Sequence, residues 1–102
     1  PAAAPPRRPA RPQAPAPELQ PMLTPDERAA LDRQVGARIR RAAALLRAVE
    51  GTPLSGEQAA LAAQVKTFLR QAEEARNTDL LRANNLAERA EVLAVELSRR
   101  VR

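Results

Sequence analysis

From Leu31 onward the apolar residues recur at alternating steps of four and three: Leu31, Val35, Ile39, Ala42, Leu46 and Val49, with Leu45 widening the stripe. That period marks one buried face of an α-helix. The start is written in "LTPDERAAL". Thr24 can cap, Pro25 takes the first helical position, and Glu27 completes a capping box, with Asp26 also favourable at the positive end of the helix dipole. These signals predict a helix over residues 25–50. Gly51 suits a left-handed residue after it, and Pro53 blocks continuation.

The next start repeats the logic in "LSGEQAAL". Ser55 caps, Gln58 closes a second capping box, and Leu54 and Ala59 are spaced for a hydrophobic staple. Leu61, Val65, Phe68, Leu69, Ala72 and Ala75 supply the buried stripe of a helix over 55–76. A third stripe, Leu80, Ala83, Leu86, Ala87, Ala90, Leu93, Ala94, Leu97 and Val101, predicts a helix over 79–101. No glycine or proline separates the two. The second seam, continued, would place Asp79 and Arg82 inward, whereas the apolar residues fall at Leu80, Ala83 and Leu86. The pattern therefore slips at 76–79, and we expect a tight antiparallel turn in which Asn77 takes the left-handed conformation and Thr78 or Asn77 caps the last helix. On this reading Asn84 and Asn85 are surface polars.

Three amphipathic stripes and no alternating segment give an all-α fold, either a three-helix bundle or a helix packed on an αα-hairpin. About fifteen large apolar side chains are available, each stabilising by roughly 1.5–3 kcal/mol when buried, against a conformational entropy cost of similar total size. Such a domain folds with a narrow margin.

The first 21 residues are of a different kind. "PAAAPPRRPARPQAPAPELQP" holds eight of the ten prolines. Proline fixes φ and lacks an N–H, so residues 1–23 are expected to form an extended linker ahead of a helical domain at 24–102. At about 3.1 Å per residue such a linker spans roughly 60 Å. "PPRRPARP" also has the PxxP spacing beside arginine that proline-reading domains recognise. The chain opens on Pro1 rather than Met, and we expect a processed or truncated product. No run is long and apolar enough for a membrane span or a signal-peptide core.

Composition narrows the chemistry. Cysteine, histidine, tryptophan and tyrosine are all lacking. Without histidine nothing activates Ser55, Ser98 or the threonines as nucleophiles, so no catalytic residue, metal site or cofactor is expected and the chain reads as a non-enzyme. Glu88 and Glu91 could be imagined as metal ligands, but both point away from the apolar stripe, and the isolated Gly36, Gly51 and Gly56 make no phosphate loop. The seventeen basic residues outnumber twelve acids, giving a net charge of +5. The excess is spread along the chain: three basic to one acidic in the linker, six to four in the first helix, three to three in the second and five to four in the last. Arg38, Arg40, Arg41 and Arg47 form the densest group and are the candidate anion-binding residues. Nucleic acid remains a lesser expectation, since single-strand platforms need aromatics and only Phe68 is present.

One pattern lies outside the core account. On a helical wheel Leu81, Val92 and Val95 fall opposite the last helix's buried stripe, interleaved with Asn85, Glu88 and Arg99. A monomer would expose this second stripe. We take Leu81, Asn85, Val92 and Val95 as a candidate partner-docking face.

"TDLLRANNLAERAEVL" resembles the second-helix start of a tetratricopeptide-type αα-hairpin, with Asp79 at the interhelical turn and Ala83 and Ala90 at its small positions. The likeness extends over residues 67–97 as a single degenerate unit, in which Gln71, Glu74, Asn77 and Val95 depart from the repeat, and it implies a hairpin without transferable peptide-binding residues. The overall layout, a Pro/Ala-rich segment leading into a short helical domain, is similar to small bacterial cell-envelope proteins, often lipoproteins. That resemblance implies an envelope location, with the cytoplasm as the alternative.

Together these features predict a non-enzymatic, tethered helical scaffold or adaptor whose last two helices dock another protein or a second copy of the chain. The alternatives are an accessory subunit ordered within a larger complex, and a basic binder of nucleic acid or anionic polymer through the Arg-rich first helix.

Overall fold

A computed structural model describes residues 23–101. Nearly all of the expected linker, residues 1–22, lies outside the described residues, as does Arg102. The described chain is a three-helix bundle: α1 spans Pro25–Glu50, α2 Gly56–Arg76 and α3 Leu80–Val101. α2 and α3 each begin one residue later than the sequence pattern suggested, because Ser55 and Asp79 are caps outside the helices.

Both capping boxes form. The Thr24 hydroxyl accepts from the Glu27 N–H at 3.0 Å while the Thr24 N–H donates to Glu27 at 2.9 Å. Ser55 and Gln58 repeat the exchange at 3.2 and 2.9 Å. Each box satisfies two amides that would otherwise lack helical partners.

The helix ends differ from expectation. Gly51 has φ −73° and Asn77 φ −89°, so neither adopts the left-handed conformation. The chain instead turns through right-handed residues, closed by Thr52 N–H to Val49 O at 3.1 Å and by Thr78 and Asp79 N–H to Ala75 O at 3.0 and 2.7 Å. The cap of α3 is Asp79, not Thr78 or Asn77: its carboxylate accepts the Arg82 N–H at 3.1 Å, and its carbonyl accepts the Ala83 N–H at 2.9 Å. A carboxylate is the better cap here because its charge also meets the positive end of the dipole. The expected tight turn between α2 and α3 is thus present, with a different residue closing it.

Two stacked layers make the core. In the first, Val35 and Ile39 of α1 meet Ala72 and Ala75 of α2 and Leu80, Ala83, Leu86 and Ala87 of α3. In the second, Ala42, Leu46 and Val49 meet Ala62 and Val65 and then Ala90, Ala94 and Leu97. Early α1 therefore packs on late α2 and early α3, which makes α1 and α3 parallel and α2 antiparallel to both.

α3 is the middle element. It packs along both neighbours, while α1 and α2 touch each other over much less of their length. The cause is the seam of α3, where Ala83, Ala87, Ala90 and Ala94 are wholly shielded from solvent. Methyl side chains let two helix backbones approach more closely than leucines would.

Eight of the sixteen buried apolar residues are alanine. Leu31, Leu45, Leu61, Phe68, Leu69 and Leu93 line the rim half-buried. Near the start of α2 the buried position is Ala62, and the Leu61 beside it, which the pattern nominated, is half-buried. Leu54 packs on the second layer while Ala59 is exposed.

The α1–α2 edge is closed by charge. Arg76 Nε donates to Asp32 Oδ1 at 2.8 Å and Arg76 Nη2 to the Asp32 carbonyl at 3.2 Å, while Lys66 pairs with Glu50 at 2.7 Å. Gly36 makes room for this. A Cβ there would lie 2.8 Å from Arg76 Nη2, so glycine's lack of one lets the guanidinium lie against α1.

If the alanine seam sets the bundle, widening it should cost more than an equal change outside. Ala90→Leu is expected to destabilise by about 1–3 kcal/mol through overpacking, whereas Ala44→Leu on the exposed face of α1 should stay within about 0.5 kcal/mol of the parent. Urea unfolding of the two variants reads the difference.

Candidate functional site

The outward face of α3 follows from the same periodicity as its seam. Positions 81, 85, 88, 92, 95 and 99 repeat the four-three step on the side opposite Ala83, Ala90 and Ala94. Leu81 and Val92 are the exposed large apolar residues among those described, at 38% and 60%. Asn85 is exposed beside them, and Val95 is half-buried. The four candidate docking residues therefore share one face of one helix.

Val92 is the ridge between two depressions. One, of about 620 Å³, runs between α2 and α3 and is lined by Phe68, Asn85, Glu88, Arg89, Val92 and Leu93. The other, of about 310 Å³, lies along α3 between Glu91, Val92, Val95, Glu96 and Arg99.

Phe68 packs against both core layers, as its spacing predicts, and its half-exposed remainder lines the larger depression. Arg89 stands over its ring at 6.0 Å from the centroid, at the outer limit of cation–π attraction. The sequence held one signal of this role: Phe68 sits at the edge of its helix's stripe, where a large ring cannot be covered by the small residues of α3.

The four arginines proposed for anion binding separate into two groups. Arg38 Nη1 donates to Glu91 Oε1 at 2.7 Å and Arg41 Nε pairs with Glu91 Oε2 at 3.2 Å, tying α1 to α3. Arg40 and Arg47 lie exposed on the outer face of α1. Arg33, which spacing alone did not single out, joins them one heptad earlier, so that Arg33, Arg40 and Arg47 recur every seven residues, about 10.5 Å apart at 1.5 Å rise per residue. None of the three has a carboxylate within 4.0 Å among the described residues. Glu91 is committed to arginine and not to Glu88, and among the described residues no group of three acidic side chains converges as a metal site.

Two polar atoms near the α1–α3 contact are shielded without a partner, Arg38 Nε and Asn84 Oδ1. Asn84 is therefore half-buried rather than a surface polar, while Asn85 is exposed. None of the described helices is long and apolar enough to cross a membrane.

Asp32 carries the clearest electrostatic signature. The hydrogen bond from Arg76 holds its carboxyl below the ordinary 3.8, with the Arg76 and Arg33 charges adding to the effect and partial burial opposing it. Arg76 is correspondingly raised, first by that hydrogen bond. A depressed carboxyl pKa stabilises the fold above its unfolded value, and that contribution is lost as pH falls through the folded value. Asp32→Asn should therefore lower the thermal midpoint near about pH 6, and the difference from the parent should narrow as pH falls below the ordinary carboxyl value and through the lowered folded one. Because the Asp32 side chain is 47% exposed, the effect should also shrink in high salt.

Comparison with protein-family models, with characterised proteins and with solved structures finds no match to this chain.

Proposed function

We propose that the chain is a non-enzymatic helical scaffold that associates with protein through the outer face of α3. The observation that carries this reading is Val92, 60% exposed between two depressions on the face opposite the alanine seam. The larger depression is lined by the Phe68 ring, by Val92 and Leu93, and by polar Asn85, Glu88 and Arg89, the mixture that suits a docked helix or loop. In this reading the α2–α3 pair is a single αα-hairpin of tetratricopeptide-like character. The Pro/Ala-rich segment supplies reach from an anchorage in the bacterial cell envelope, supported by its composition and layout.

A photo-cross-linking residue at position 92, introduced into the full chain in its producing cells, tests the docking face. It should give a discrete protein adduct that the same residue at exposed Ala44 on α1 does not give. Equal or absent adducts at both positions would remove the reading.

The line of Arg33, Arg40 and Arg47 supports a second reading, a binder of anionic polymer through α1. Two of the four acids of α1 are paired with α2, Asp32 to Arg76 and Glu50 to Lys66, and Asp26 and Glu27 lie in its first turn, so Arg33, Arg40 and Arg47 have no carboxylate within 4.0 Å among the described residues. On this reading the chain is retained on DNA in a salt-dependent way, and replacing the three arginines by glutamine reduces the salt slope by about three. Retention that the triple variant leaves unchanged would exclude α1 as the binding face.

A further inference from the structure

Resting on the docking reading above, we propose that the occupant of the α3 face is a second copy of the chain, paired antiparallel about a two-fold axis between residues 93 and 94. In two antiparallel helices related by such an axis, residues equidistant from the axis face each other. Val92 and Val95 flank that point equally, and so do Glu88 and Arg99. One register therefore sets Val92 against Val95 of the partner subunit and Glu88 against Arg99 of the partner subunit, each contact occurring twice.

At 3.6 residues per turn the four side chains fall within an arc of roughly 60°. They can meet a partner helix together. Glu88, Val92 and Arg99 are exposed and Val95 is half-buried, and the depression of about 310 Å³ lined by Val92, Val95 and Arg99 is where the partner's valines would seat.

Charge favours this register over one centred on Val92. An axis through Val92 itself would set Glu88 opposite Glu96 of the partner subunit and leave Arg99 facing an asparagine. In the proposed register Glu91 approaches Glu96 of the partner subunit, but both carboxylates are already neutralised within their own chain, Glu91 by Arg38 and Arg41 and Glu96 by Arg100. The like-charge cost is thereby reduced, while Glu88 and Arg99 have no ion-pair partner in the described residues and remain available to each other across the axis.

A single helix stripe is a small interface, so the dimer is weak and concentration-dependent. Sedimentation of the full chain over about 1–500 μM should show a monomer–dimer equilibrium. Glu88→Arg and Arg99→Glu each replace two attractions by two repulsions and should weaken the dimer about tenfold or more, while the double variant restores the parent constant to within about twofold. Circular dichroism checks that every variant keeps its helix content.

A parent chain that stays monomeric throughout overturns the pairing, as do four chains with one dissociation constant or a double variant as weak as either single. These outcomes are separable from failure of the docking reading. A monomeric parent whose cross-linker at position 92 still captures a different protein retains the docking face and loses only the second copy as occupant.

Discussion

The close approach permitted by four alanines on α3 is the constraint on which the bundle depends. With Ala83, Ala87, Ala90 and Ala94 fully shielded, α3 can lie close to both neighbours at once. That geometry makes it the middle helix, and it leaves α1 and α2 farther from each other. The outer edge between them is bridged by long charged side chains, Arg76 to Asp32 and Lys66 to Glu50. Partly exposed ion pairs of this type contribute roughly 0–1 kcal/mol each, so they align the helices more than they hold them. The apolar layers carry the stability, and an alanine-rich core buries little area per residue. A narrow margin of stability follows from the same feature that sets the topology.

What was legible in the sequence is what local chemistry decides. Thr24 with Glu27 and Ser55 with Gln58 specify their helix starts within four residues, and each stripe's period specifies a face. The turn at 76–79 was visible as a slip in phase, but its cap was not, because Asn77, Thr78 and Asp79 are all competent caps and the choice depends on where α3 must begin to aim Leu80 and Ala83 inward. Gly51 and Asn77 misled for a related reason. Their types permit a left-handed residue, but the turns close with right-handed ones, which any residue adopts. Stripe edges were ambiguous by one position, as with Leu61 and Ala62, since the boundary between core and rim depends on how near the next helix comes.

The candidate site was legible in part. The outward stripe of α3 could be drawn on a wheel, but the depressions beside Val92 need Phe68 from α2, and no local pattern joins those two residues. Cross-helix charge was illegible altogether. Arg38 and Arg41 looked like members of one basic cluster with Arg40 and Arg47 because they are adjacent in the chain, yet a 100° rotation per residue sends the first two toward Glu91 on α3 and the others to solvent. Arg33 joins that outer line only through the heptad spacing, which adjacency in the chain does not reveal.

Every helix of a three-helix bundle has an outward face, so exposure alone says little about function. What distinguishes the three is what each carries there. α1 presents arginine among alanines, and α2 presents Ala63, Gln64, Arg70 and Glu74. Only α3, among the described residues, sets large apolar side chains outward, Leu81 and Val92. The core does not need them there, and alanine or glutamine at either position would serve the helix as well or better. In the docking reading proposed above, the exposed Val92 of α3 would meet a contact outside the bundle, and its pairing with Val95, flanked by Glu88 and Arg99, would give that contact a direction and a register.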